Sequence, residues 1–193
     1  MVTLSEIAEI RAGHAFRGAI TPDFEAHSRV IQIRDADQQS GVDWAGLERC
    51  TITARKEPDW LQAGDILFQA RGRKNFAVCL TEVPFSKVVC TQHFFVIRVR
   101  DERFSPAFIA WQLNQVCAQR HFDLNTPNVN TRHITLPTLS ATPVVFAERA
   151  VQQELHHLVT LARREQLLFE SLMKTRQQQM AAVASQVLGK GTV

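Results

Sequence analysis

The chain has 193 residues, 45% of them hydrophobic and 21% charged, with a formal net charge of +3. That composition belongs to a soluble globular protein of one domain, or one domain with an appendage, long enough to bury a core without disulfide or metal staples. It excludes a disordered chain, and no apolar run approaches the ~20 residues that a bilayer-spanning helix needs.

Residues 2–11 read as a short strand or helix broken at Gly13. Residues 29–34, RVIQIR, alternate in the manner of a strand. Residues 66–69 and 76–80 read as two strands flanking the basic run Arg71-Gly72-Arg73-Lys74-Asn75, and residues 94–99, FFVIRV, are β-branched and aromatic enough to form a third. Ser105-Pro106 opens a helix, because proline suits a first turn, and this helix is expected to run up to the turn-rich Asn125-Thr126-Pro127-Asn128. No internal repeat is present.

From residue 144 the character changes, and no proline or glycine occurs between Val144 and Leu188. Positions 151, 155, 158, 162, 165, 169, 172, 176, 179 and 183 alternate in steps of four and three. Seven of these ten are apolar: Val151, Leu155, Leu158, Ala162, Phe169, Leu172 and Val183. This is a heptad seam with polar interruptions, and it predicts one long helix that needs a partner helix to cover it. Gly189 is a natural stop, which leaves 189–193 as a flexible tail.

The sequence holds no pattern for catalysis or metal binding. There is no GxSxG elbow, no GxxxxGK[ST], no GxGxxG and no CxxC. His156 and His157 are adjacent, so they point to different sides of a helix and cannot form an i, i+4 metal pair. Cys79 and Cys90 sit among apolar residues and read as core fillers. The expectation is a non-catalytic protein without metal or cofactor. No signal peptide opens the sequence at Met1-Val2-Thr3, so the expected location is the cytoplasm, with reduced thiols.

What remains is binding. Between residues 71 and 100, six basic residues (Arg71, Arg73, Lys74, Lys87, Arg98, Arg100) stand against Glu82 alone, a local charge of +5. Such a surplus steers an anionic partner. Arg71, Arg73 and Lys74 are dense enough to meet phosphates, and Gln69 and Asn75 carry amides that match adenine. A second polar cluster, Asn125, Asn128, Asn130, Arg132 and His133, offers further donors and acceptors.

In order along the chain, these pieces resemble the specificity subunit of type I restriction–modification systems. Residues 4–17, LSEIAEIRAGHAFR, resemble the L-x-[DE]-[IV]-x-x-[IV]-x-x-G-x-x-F opening of a target recognition domain. Leu61 to Phe68 with Arg71-Gly72 resembles the L-x-x-G-D-[IV]-L segment and its glycine turn, and residues 105–113 are similar to the P-x-[YF]-[IL]-x-x-x-L helix. Thr126 to Asn130, with Ile134 and Leu136-Pro137, resembles the segment before the last strand. One departure is Arg149, which stands where the family usually carries glutamine at the start of the long helix. Full specificity subunits have two recognition domains, each followed by a long helix, whereas this chain has one of each.

The resemblance implies an α+β fold, with a mixed, mostly antiparallel β-rich recognition domain over 1–143 and a long coiled-coil helix over 144–188. It implies double-stranded DNA as ligand, with Arg17, Gln69, Arg71, Arg73, Lys74, Asn75, Asn128, Asn130 and Arg132 as the contacting residues. It further implies a homodimer through the helix that reads a bipartite site, and catalysis in separate methyltransferase and nuclease subunits. The reading set against it is a coiled-coil interaction adaptor that binds no DNA.

Overall fold

The computed structural model describes residues 1–52, 57–72, 74–126 and 132–189. The chain divides into two units, Met1–Gln153 and Glu154–Val193.

The first unit begins with strand β1 (Val2–Thr3), the single-turn helix α1 (Leu4–Ile7) and strand β2 (Ala8–Ala12). Strands β3 (Arg29–Ile31), β4 (Ala36–Asp37), β5 (Gly41–Val42) and β6 (Glu48–Arg49) follow. Next come β7 (Ile66–Gln69), β8 (Arg71–Gly72), β9 (Ala77–Cys79), β10 (Val88–Cys90) and β11 (Phe94–Val99). Helices α2 (Pro106–Leu113) and α3 (Val116–Leu124) lead to strand β12 (Arg132–His133), helix α4 (Leu136–Ser140) and strand β13 (Pro143–Val144). The main sheet has the order β2-β11-β7-β9 and is antiparallel throughout. A second sheet, β10-β3-β6, contains a parallel pair, β10 with β3. β1 pairs with β13, which ties the two ends of this unit together.

The central strand explains its own sequence. All four residues of β7 are buried. Ile66 and Phe68 enter one core cluster with Leu4 and Ile7 of α1, Ile109 and Leu113 of α2, Phe122 of α3 and Leu139 of α4. Leu67 faces the opposite way, into a cluster with Ile31, Val78, Val88, Phe94 and Val96. A strand covered on both faces has no polar side to show, so it reads as a continuous apolar run. Each fully buried side chain of this size contributes ~1.5–3 kcal/mol. Burial also pushes the thiol of Cys79 up to about 11 and that of Cys90 up to about 12, so both stay protonated at neutral pH as packing residues.

The Gly-Asp segment ahead of β7 is a structural joint. Asp65 is fully buried and takes both arms of Arg98, from Nε at 2.7 Å and from Nη2 at 2.8 Å. It also accepts the Gln62 N–H at 3.0 Å. Asp59 extends the network by pairing with Arg11 at 2.5 Å. The hydrogen bonds to Asp65 outweigh partial burial and hold the Arg98 guanidinium above its ordinary pKa. We predict that Asp65→Asn lowers unfolding free energy by about 1.5–3 kcal/mol, the worth of hydrogen bonds to a charged group. Urea denaturation would show it, and an unshifted midpoint would remove the pair from the stability argument.

The sequence leads one to expect a single helix from residue 106 to residue 124, but it is broken at Asn114. The side chain of Asn114 accepts the Ala77 N–H and donates to the Ala77 C=O, both at 2.8 Å. Those are the backbone groups of the edge strand β9, and Asn114 covers them as a neighbouring strand would.

Helix α5 (Arg149–Gly189) is one continuous element of 41 residues, about 60 Å long. It starts later than residue 144, because Pro143 and Val144 are held extended against β1. Gln152 is its buried residue. Its amide accepts the Ser105 N–H at 2.8 Å and donates to the carbonyls of Arg103 and Ala147, each at 2.7 Å. The glutamine missing at position 149 therefore leaves the start of the helix anchored by another, three residues on. Along the helix Val151, Leu158, Phe169, Leu172 and Val183 are all exposed, between 44% and 64%. Leu155 is half-buried and Ala162 is exposed. Among the described residues no helix is long and apolar enough to cross a membrane.

Candidate nucleic-acid interface

The basic run lies in the turn between β7 and β9, and its shape is built by its own amides. Gln69 Nε2 donates to the Lys74 carbonyl at 3.1 Å, and Asn75 Nδ2 donates to the Gln69 carbonyl at 2.9 Å. Gly72 has φ +142, and a Cβ there would lie 2.5 Å from Gln69 Nε2, so the turn needs a residue without a side chain. Gln69 and Asn75 are 4% and 5% exposed. The amide nitrogens of both thus hold the turn, whereas Gln69 Oε1 and Asn75 Oδ1 are buried without a hydrogen-bond partner among the described residues. Arg71 and Lys74, in contrast, are exposed on it.

The second polar cluster is brought to the same place. β8 pairs antiparallel with β12, with Gly72 opposite Arg132 and Arg71 opposite His133. The junction is extended by Ala70, whose N–H donates to the His93 carbonyl and whose carbonyl accepts the Ile134 N–H, each at 2.9 Å. Arg73, Asn128 and Asn130 lie outside the described residues, and for Arg132 only the backbone is described. Arg17 is exposed, three residues after His14. The His14 N–H donates to the Cys90 carbonyl at 2.7 Å, and His14 pairs with Thr91. The segments that carry Arg17, Arg71 and Arg132 are thus all stitched to the turn between β10 and β11.

That turn, Thr91-Gln92-His93, was missed in the sequence. Its signal is a polar tripeptide caught between two apolar runs, VVC and FFVIRV. The charge count, by contrast, promised more than the surface delivers. Arg98 is spent on Asp65, and Arg100 pairs with Glu9, whose carboxyl it holds below the usual range. The local +5 is therefore not one free cationic face, and among the described residues Arg17, Arg71 and Lys74 are exposed cations of the site. Among the described residues no group of three or more His, Cys, Asp or Glu could hold a metal ion.

No protein-family model matches the sequence, and no curated protein matches it significantly. Solved structures do match in shape. The S subunit of a type I restriction–modification system from M. genitalium superposes with a TM-score of 0.62 over 99% of this chain, at 11% identity. A chain from a structural study of complex assembly and conformational transition in the type I R-M system gives 0.67 over 98%, at 13% identity. The HsdS subunit of Thermoanaerobacter tengcongensis gives 0.53 over 86%, at 14% identity. This chain spans 46%, 44% and 37% of those proteins, less than half of each. An α+β domain of mostly antiparallel strands followed by one long helix, this chain has the fold of type I specificity subunits.

Proposed function

We propose that the chain is a DNA sequence-recognition subunit of a type I restriction–modification system, a half-subunit that works as a homodimer. Residues 1–143 read one half-site. The helix over 144–188 pairs with that of a second copy and sets the distance between two recognition domains. A two-fold dimer then faces a bipartite site, because protein symmetry is mirrored in the DNA. Catalysis belongs to methyltransferase and nuclease subunits that the dimer directs.

The observation that carries this reading is the β8–β12 pairing, which joins the Arg71–Lys74 turn to the segment ending in Arg132-His133. Local sequence alone gives no reason for two polar loops some sixty residues apart to meet. In this reading Arg17, Arg71, Arg73, Lys74 and Arg132 meet phosphates or guanine edges, and Asn128 and Asn130 contact the same duplex. The exposed apolar residues of α5 support a partner helix, but they suit the adaptor reading equally well, so the helix does not decide between the two.

The test is light scattering of the purified chain with and without a pool of randomised duplexes at low salt. The expected result is twice the chain mass and retained duplexes whose binding weakens steeply as salt rises, since Lys and Arg displace condensed counterions. Dimers that retain no duplex at low salt would favour the adaptor.

A further inference from the structure

We propose that the Thr91-Gln92-His93 turn is the specificity-determining element of this domain and reads base edges while the flanking cations hold phosphates. This inference rests on the DNA-recognition reading and names residues that the sequence did not single out.

The first observation is a pair of unused buried atoms. Thr91 Oγ1 and His93 Nδ1 are buried with no hydrogen-bond partner among the described residues, and Thr91 is only 7% exposed. Buried polar atoms are paired in the great majority of cases, so each exception asks for a missing partner. Both residues line a surface cavity of about 430 Å³, together with His14, Phe16, Gln32 and Arg34. Gln32 and Arg34 are already engaged, because both donate to Glu48 Oε2, at 2.6 and 2.8 Å.

The second observation is rigidity. The Thr91 N–H donates to the Ile31 carbonyl and the Phe94 N–H donates to the Thr91 carbonyl, each at 3.0 Å. This closes a four-residue turn with Gln92 and His93 at its corners. The His93 carbonyl is fixed by the Ala70 N–H. On the other side Gly13 passes so close that a Cβ there would lie 2.2 Å from the Thr91 carbonyl oxygen. A backbone tied at three points loses little entropy when its side chains engage a ligand.

The third observation is placement and chemistry. The exposed cations Arg71 and Arg17 are anchored on opposite sides of the turn, through Ala70 and His14. The turn itself carries an exposed amide at Gln92, a half-buried imidazole at His93 and a buried hydroxyl at Thr91. Phosphate contacts position a duplex, and neutral side chains that carry both a donor and an acceptor can read its base edges. The Gln92 amide matches adenine N6 and N7, and the Thr91 hydroxyl and His93 ring can each donate or accept.

The experiment is selection from a randomised duplex pool by the full chain, with the enriched sequence as readout, for wild type and for Thr91→Val, Gln92→Ala and His93→Ala. Thr91→Val removes the hydroxyl while keeping the shape, and the corner residues can change without altering the core. The expected result is loss of preference at one or two base pairs, about ten-fold or more for Gln92→Ala, the worth of a bidentate contact. The slope of log affinity against log salt should stay, because every phosphate partner is retained. If wild type enriches a sequence and all three variants enrich it equally, the inference is overturned, and the two buried atoms merely hold water. If wild type enriches nothing, the recognition reading itself fails.

Discussion

Replacing Arg71, Arg73 and Lys74 together by alanine should weaken duplex binding by on the order of 100-fold at 0.15 M salt. The magnitude follows from counterion release: each phosphate that the protein no longer neutralises lowers the magnitude of the log–log salt slope by about 0.9. Three such phosphates therefore remove close to three units of slope. Arg71 and Lys74 are exposed, and Lys74 acts in the turn only through its backbone carbonyl, which alanine keeps. The turn is held by Gln69, Gly72 and Asn75, none of which is altered. The variant should therefore unfold with the midpoint of wild type, so that a shallower slope reports the interaction with DNA rather than damage. Anisotropy titrations at four or five salt concentrations would measure it. An unchanged slope would take this turn out of the interface, whatever its charge.

The same turn shows what is legible in a sequence and what is not. Charge density and a central glycine are local properties, and the connection they marked does lie between the paired strands β7 and β9, although Arg71–Gly72 itself pairs with β12. Which side chains that turn can offer is a matter of burial, and burial is decided by neighbours. Gln69 looks like a free amide in the string, yet it is buried opposite Phe94 and its Nε2 closes the turn. Arg98 looks like free positive charge, yet it is locked to Asp65, 33 residues away. The alternation over residues 29–34 gave a strand only at Arg29–Ile31, because Ile33–Asp35 turns into a 3-10 helix, whereas the run free of proline and glycine after residue 144 did give one long helix. Asn114 gave no such signal, because its role depends on an edge strand 37 residues earlier. The Thr91–His93 turn became visible only when β10 and β11 were placed beside Ala70 and His14.

The helix offers the other large effect. Leu158→Glu with Leu172→Glu should turn a dimer into a monomer while leaving the first unit folded. Both leucines are exposed in the single chain, at 55% and 64%, so glutamate at these positions costs the isolated helix little, and glutamate is itself a good helix former. The penalty arises only where a partner helix covers the seam. Burial of four leucines per dimer contributes roughly 6–12 kcal/mol at ~1.5–3 kcal/mol each, against about 8 kcal/mol for an entire micromolar association. The substitution also places like charges across a two-fold axis, which adds repulsion to the missing burial. Circular dichroism should report unchanged helix content, and light scattering should report half the wild-type mass. In the half-subunit reading the same variant loses the bipartite site but keeps weak binding to a single half-site, because the recognition domain itself is untouched. A variant that stays dimeric would place the contact elsewhere, and Leu161, Leu168 and Met180 are among the other exposed apolar residues along α5. The spacing between the two recognition domains would then be set by a different face of the helix.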